Sequence, residues 1–103
     1  MDDVRVYTGT LVADLVLAGA RSLKDQRAPL RALVQRLRNQ GFAVARVGPA
    51  DLAQRAFVAV VAVSGEAGLA EARLDEAERL LYDAPFEIAD LRRAVTVETF
   101  PSG

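Results

Sequence analysis

Four basic residues recur at helical spacing in the first half of the chain, and their charge suits contact with phosphate: Lys24, Arg27, Arg31 and Arg38. At about 100° per residue they fall, together with Gln35, within an arc of about 80° on one helix. Like charges three or four residues apart repel one another mildly, whereas a surface helix with random charges mixes both signs. We call these four residues the basic edge and predict that they contact RNA phosphates or another acidic partner.

Acidic residues further along the chain support a second interpretation of the basic edge. They belong to a second predicted helix: Glu71, Asp75, Glu76 and Glu78. If both helices lie on the same face of a sheet, these carboxylates can pair with the basic edge inside the fold. Pairing within the chain and contact with a partner therefore both remain open from the sequence.

A second group of polar residues, 51–55, lies in the loop before a long apolar run. Gln54 and Arg55 can present donors to phosphate or carboxylate groups, and we predict them as secondary nucleic-acid contacts. Structural uses compete with this prediction. Asp51 could cap a brief helical turn, and Arg55 could pair with Asp51 or Asp14.

Residue types that the chain lacks exclude several catalytic chemistries. The 103 residues include no Cys and no His, which excludes disulfides, thiolate metal ligands, cysteine nucleophiles and serine–histidine triads. No pair of carboxylates stands out as an acid–base couple. Residues 64–68 superficially resemble a phosphate loop but lack its lysine. We therefore expect no enzymatic activity, no cofactor and no metal.

The charges are segregated along the chain although their total is nearly neutral. Thirteen basic and 14 acidic residues give a net charge of −1. Residues 15–55 contain eight basic and two acidic residues, a net charge of +6, whereas residues 56–103 have a net charge of −5. Such asymmetry is a recognised feature of chains that bind polyanions.

Apolar periodicity predicts one domain, residues 1–103, with the element order β-α-β-β-α-β. The predicted strands are residues 4–17, 42–47, 56–63 and 94–100, and the predicted helices are residues 23–40 and 66–82, with 86–92 ambiguous. This order is typical of a ferredoxin-like α+β fold, a two-layer sandwich in which an antiparallel four-stranded sheet carries two helices on one face. Right-handed crossovers place the first and third strands in the middle.

Single residues refine the expected boundaries of these elements. Ser22, followed by Asp25, resembles a capping box at the start of the first helix. Pro29 should kink that helix or separate its first turn. Gly9 marks an expected bulge or bend near the middle of the first strand, and Ser64 is the expected N-cap of the second helix.

The sheet face away from the helices is predicted to be apolar. Residues 56–63 form a nearly continuous apolar run, which is typical of a strand buried on both faces. The side chains that we expect at an interface on the open face are Val12, Val16, Phe57, Val61 and Val63. Because a contiguous apolar patch usually marks an interface, we predict a homodimer that packs through open sheet faces or edges.

The motif Arg-Ser-Leu-Lys-Asp-Gln-Arg at residues 21–27, followed by the polar block at 51–55, resembles the YlxP-like family of small uncharacterised bacterial proteins. The resemblance implies a ferredoxin-like fold. YlxP-like proteins are commonly encoded beside translation and ribosome-maturation genes, which implies a connection to RNA or the ribosome, and the family has no established catalytic residues. This chain departs from the family at Gln26, usually basic, at Ala53, often aromatic, and at Ala18, usually Pro. The first departure is expected to weaken the basic edge.

The hypothesis that combines these features is a non-enzymatic cytoplasmic module, homodimeric, that contacts RNA or a ribosomal particle. The alternatives are a protein–protein interaction module without nucleic acid and a dimeric small-ligand-binding domain, the latter by fold analogy alone. The first residues carry no basic segment typical of a secretory signal. The apolar stretch 11–20 is interrupted by Asp14 and is too short to cross a bilayer, so we expect no membrane partner.

Overall fold

A computed structural model of the chain describes residues 3–103. Met1 and Asp2, whose sequence contributes to the expectation of no secretory signal, lie outside the described residues. The elements are β1 Val4–Val16, α1 Leu23–Asn39, β2 Ala43–Val47, β3 Arg55–Ser64, α2 Ala67–Asp83 and β4 Glu87–Phe100. The four strands form one antiparallel sheet in the order β2-β3-β1-β4, with β1 and β3 in the middle as predicted. The predicted ferredoxin-like α+β fold is confirmed.

The core lies between the two helices and one face of the sheet, where alternate strand residues are buried. Leu11 of β1 and Val60 of β3 are fully buried and pair across the two central strands. They belong to the same apolar cluster as Leu37 of α1 and Leu74 of α2. Burying one such side chain stabilises the fold by about 1.5–3 kcal/mol. This packing fixes which side of each helix faces solvent, and therefore the direction of the basic edge.

Helix α1 is closed at its start by side chains and at its end by a glycine. Ser22 Oγ accepts a hydrogen bond from the Asp25 amide at 3.3 Å, and Asp25 Oδ2 accepts one from the Arg21 amide at 2.9 Å. The predicted capping interaction is confirmed, although the carboxylate reaches Arg21 instead of the cap residue itself. After α1, Gly41 adopts a φ of +90°, the left-handed conformation that terminates helices.

Pro29 lies inside α1 without dividing it, so the first turn is not separated as expected. The helix is continuous from Leu23 to Asn39. Proline lacks the N–H that would bond to the carbonyl four residues earlier. The carbonyl left without this bond is that of Asp25, an exposed residue, so water can bond to it instead. The basic edge consequently lies on one uninterrupted helix.

Gly9 lies in a regular part of β1, and the bulge predicted there is wrong. The register shift between β1 and β4 falls between Asp14 and Leu15 instead. An ideal Cβ placed on Gly9 would lie 3.0 Å from Leu74 Cγ. The glycine is therefore explained by the close approach of α2 to the sheet.

Within one chain only one face of β3 is fully buried, so the helices by themselves do not provide the burial of both faces that the apolar run indicates. Val58 and Val60 face the helices and are buried, whereas Phe57 and Val61 on the other face are half-buried. Val63, on that same open face, is 70% exposed. The difference arises because both helices lie on the same side of the sheet.

The start of α2 and the start of β4 differ from the sequence prediction. The N-cap of α2 is Glu66, which makes no side-chain capping hydrogen bond, and not Ser64. Ser64 still belongs to β3, and its Oγ accepts a hydrogen bond from the Glu66 amide at 3.1 Å. The ambiguous residues 86–92 fall almost entirely in β4, which begins at Glu87.

Candidate nucleic-acid interface

The basic edge lies on the solvent side of α1, along one edge of the sheet. Helix α1 packs beside β2, which is the outermost strand on that side. All four residues of the basic edge are exposed. With a rise of about 1.5 Å per residue, the row from Lys24 to Arg38 is about 21 Å long.

The cations of the basic edge have no acidic partner among residues 3–103. Within that part of the chain, no carboxylate oxygen lies within 4.0 Å of a basic-edge nitrogen. Arg38 donates from Nη2 to the carbonyl oxygen of Val44 on β2 at 3.1 Å, which positions the guanidinium without neutralising it. The basic edge is therefore a surface of unneutralised positive charge.

The four acidic residues of α2 that the sequence offers as partners for the basic edge are engaged by other arginines. Arg93 of β4 forms ion pairs with three of them: Glu71 at 2.7 Å, Asp75 at 2.8 Å and Glu78 at 3.4 Å. The fourth, Glu76, pairs with Arg73 of its own helix at 2.7 Å. The alternative in which these four carboxylates neutralise the basic edge is therefore wrong.

Arg93 reaches α2 because of its register in the sheet. It pairs with Leu11, whose side chain is buried beneath the helices, so Arg93 projects to the same side. Partial burial opposes the charge of the guanidinium, but the hydrogen bonds and charges of the nearby carboxylates outweigh it and raise the pKa of Arg93. The arginine remains fully charged and holds β4 against α2.

Contacts between the two helices also lie away from the basic edge. Arg36 of α1 lies 4.0 Å from Asp83 of α2. The Arg73 guanidinium lies 4.0 Å from the centroid of the Phe42 ring and donates to the Gln40 carbonyl oxygen at 2.6 Å. These contacts join α2 to α1 and to the residues that follow it, and they are made by arginines outside the basic edge.

Arg46 is an additional cation beside the basic edge that sequence reasoning missed. It pairs with Val58, a buried residue of β3, so it projects to the helix side of the edge strand β2. Its Nη2 donates to Oε1 of Gln26 on α1. The alternation in β2, which places Arg46 on the same side as Val44, was the signal that could have identified it. We call the basic edge together with Arg46 the basic surface.

Gln26 is fully buried and does not belong to the basic edge. Its Nε2 donates to the carbonyl oxygens of Leu52 at 2.8 Å, Ala53 at 2.9 Å and Arg55 at 3.1 Å. The expectation that glutamine at this position weakens the basic edge is therefore wrong, because the side chain points into the fold. It holds the loop before β3 against α1.

The loop between β2 and β3 contains no helical turn, so the brief helix that Asp51 was expected to cap is absent there. Residues 49–52 have no regular structure, and Ala53 and Gln54 form a turn. The carbonyls of Leu52 and Ala53 accept from Gln26, so a side chain supplies the donor that a helical turn would otherwise provide. Gln54 is exposed, and its carbonyl oxygen accepts from the Leu17 amide at 2.8 Å.

Arg55 lies on the opposite face of the sheet from α1 and is separated from the basic edge. Its Nε donates to Asp14 Oδ1 at 2.9 Å, and its Nη2 contacts the other carboxylate oxygen. This two-point ion pair raises the pKa of Arg55, first through the hydrogen bond and then through the charge of Asp14. The pairing with Asp14, one of two partners foreseen from the sequence, leaves Arg55 partly neutralised.

The five residues predicted at a dimer interface lie together on the open face of the sheet. Val12 and Val16 of β1 are half-buried, as are Phe57 and Val61 of β3, and only Val63 is largely exposed. Phe57 packs against Gly48, where a Cβ would lie 3.3 Å from the ring. The patch is therefore apolar but shallow, with the Arg55–Asp14 pair at one end.

The described part of the chain shows neither a cluster of metal ligands nor a helix that could span a membrane. Across residues 3–103, no three His, Cys, Asp or Glu side chains are grouped so that they could hold a metal ion. No helix in the same range is both long and apolar enough to cross a membrane.

Comparison with known proteins links the chain to one family. The model of a family described as "Protein of unknown function (DUF503)" matches residues 8–93, which include all of α1 and its basic edge. No curated protein matches the chain. Among solved structures, the chain is similar to a structural-genomics protein described as YJCS, with 9% sequence identity and a TM-score of 0.43 over 84% of this chain and 96% of that chain.

Proposed function

This chain belongs to the DUF503 family of proteins of unknown function, and on that premise we propose that it is a non-enzymatic cytoplasmic module that contacts RNA or a ribosomal particle. The contact is made by the basic edge of α1, whose cations bind phosphate oxygens. Arg46 adds to the same surface, whereas Arg55, bound to Asp14, does not.

The observation that carries the proposal is the exposure of four cations in a row without carboxylate partners among residues 3–103. The chain has 14 acidic residues, yet those of α2 that could have neutralised the row are bound to Arg93 and Arg73. Like charges held in a row repel one another, so an arrangement without internal partners favours an external polyanion.

Two features of the sequence add support. The motif at residues 21–27 resembles YlxP-like proteins, which are commonly encoded beside translation genes. The absence of His and Cys removes the commonest general base and the thiolate nucleophile, which favours binding over catalysis.

A charge-matched pair of variants tests the proposal. Arg27→Gln/Arg31→Gln/Arg38→Gln removes three cations from the basic edge while keeping a polar side chain with amide donors at each position. The control Arg5→Gln/Arg79→Gln/Arg92→Gln removes three exposed cations from other parts of the molecule. In filter binding to ribosomal RNA at about 50 mM salt, we expect the first variant to bind at least about tenfold more weakly and the control to bind like the wild type. Undetectable wild-type binding, or equal losses in both variants, contradicts the proposal.

We further propose that two copies of the chain associate through their open sheet faces. The face carries an apolar centre that includes Phe57 and Val61. Both signs of charge lie at one end of it, since the Asp14–Arg55 ion pair belongs to the same face. In a copy related by a twofold axis, apolar groups can therefore face apolar groups and acids can face arginines, as a self-complementary interface requires.

A further inference from the structure

We infer that the basic surface fits a double-helical segment of RNA, held through its phosphates, and not a single strand whose bases are read. This inference rests on the proposed RNA contact and specifies the form of RNA that the surface takes. It follows from the shape of the cation row and from the positions of the aromatic rings.

The cations of the basic surface are held in a fixed line. The four cations of the basic edge lie on one continuous helix of 17 residues, in a row from Lys24 to Arg38 that is about 21 Å long, and Arg46 lies beside them on β2. Arg38 donates a hydrogen bond to the Val44 carbonyl oxygen, and Arg46 donates one to Gln26 Oε1. A rigid row of this length matches the regular path of phosphates along a duplex, whereas a flexible single strand has no fixed phosphate spacing to match.

Single-strand recognition requires exposed aromatic rings beside the cations, and these are missing from α1 and β2. Phe42, which precedes β2, is 4% exposed and lies beneath the Arg73 guanidinium. The basic surface can therefore hold a phosphate backbone but offers no platform on which a base could stack.

The aromatic rings of the open sheet face lie away from the basic surface. Four-stranded sheets of RNA-recognition domains bind single strands by stacking bases on aromatic side chains of that face. Here the centre of the face presents Val12, Ala59 and Val61, and its rings are the half-buried Phe57 and, at the end of β4, Phe100, which is 48% exposed. Both rings lie on the opposite side of the sheet from α1, so a single strand held by the basic surface has no ring on which to stack, whereas a duplex needs none.

Fluorescence anisotropy with three labelled RNAs tests the inference: two 20-base-pair duplexes of unrelated sequence and a single-stranded oligouridine of 20 nucleotides. At about 100 mM salt, we expect the two duplexes to bind within about threefold of each other and at least about tenfold more tightly than the single strand. The variant Arg27→Gln/Arg31→Gln/Arg38→Gln should lose most of the duplex affinity, and the control Arg5→Gln/Arg79→Gln/Arg92→Gln should keep it.

The outcomes separate this inference from the proposed function. Equal or tighter binding of the oligouridine overturns the duplex inference while leaving RNA contact intact. A duplex affinity that is unchanged in the basic-edge variant overturns the assignment to this surface. If no RNA binds, the proposed function fails together with the inference.

Discussion

Arg93 of β4 lies with its Nη1 2.8 Å from Oδ1 of Asp75 on α2. The same guanidinium binds Glu71 and Glu78, so a single arginine collects three carboxylates of that helix. Because these acids are held towards β4, they are unavailable to the basic edge of α1 on the other side of the layer. The positive charge exposed on α1 therefore depends on the position of Arg93 in β4, because Arg93 binds acids that could otherwise pair with the basic edge.

Replacing Arg93 by Met should destabilise the fold by about 1–2 kcal/mol. Three carboxylates would then repel one another, although their partial exposure lets water and salt screen that repulsion. Urea unfolding measures the free energy of unfolding of the wild type and the variant. The difference between the two should become smaller as the salt concentration is raised. Arg92→Met is the matched control, because Arg92 is exposed and should change stability by less than about 0.5 kcal/mol. Equal effects of the two substitutions would contradict the role given to Arg93.

Replacing Gln26 by Ala should destabilise the fold by about 2–3 kcal/mol. The carbonyls of Leu52, Ala53 and Arg55 would lose the donor that they share, which the fully buried Gln26 side chain supplies. Gln35→Ala on the exposed side of α1 serves as control and should cost less than about 0.5 kcal/mol. Thermal denaturation followed by circular dichroism compares the two, and similar melting temperatures would argue against the buried network.

Replacing Gly9 by Ala should destabilise the fold by about 1–3 kcal/mol, because the new Cβ would lie 3.0 Å from Leu74 Cγ. In the double variant with Leu74→Ala, the loss should be smaller than the sum of the two single losses. Gly68→Ala within α2 meets no atom within 4 Å and should be neutral or stabilising by up to about 1 kcal/mol. Strict additivity in chemical unfolding would show that Gly9 and Leu74 are not in contact.

The proposed dimer predicts that the wild type sediments at twice the mass of one chain at tens of micromolar. Val61→Asp places a charge at the centre of the open face and should yield monomers. Leu69→Asp changes an exposed apolar residue of α2, outside that face, and should leave the dimer intact. Wild-type protein that sediments as a monomer rules the dimer out.

Apolar periodicity was sufficient to predict the order of the elements, and the preference for right-handed crossovers placed β1 and β3 in the middle. The alternation from Leu11 to Leu17 and the run of valines in β3 identify the two central strands. The basic edge was predictable for the same reason, since residues three, four and seven apart share one side of a helix. These features depend only on local geometry.

Features that depend on contacts between distant segments were not predictable. The partners of the α2 acids depend on the register of β4, and the first part of that strand was ambiguous in sequence. The burial of Gln26 depends on a loop 26 residues away, and a polar side chain on a helix is normally expected to face water. The partner of Arg55, Asp14 or Asp51, stayed open because it depends on the register between β1 and β3.

The most direct measurement of RNA contact through the basic edge is the salt dependence of binding to ribosomal subunits, determined by co-sedimentation at several salt concentrations from about 50 mM upward. With about four phosphate contacts, the logarithm of the binding constant should fall with the logarithm of salt concentration with a slope of about −3. In Arg27→Gln/Arg31→Gln/Arg38→Gln the slope should flatten to about −1, while the Arg5→Gln/Arg79→Gln/Arg92→Gln control keeps the wild-type value. Wild-type protein that stays in the supernatant at the lowest salt, or a slope that the three basic-edge substitutions leave unchanged, would contradict RNA contact through α1.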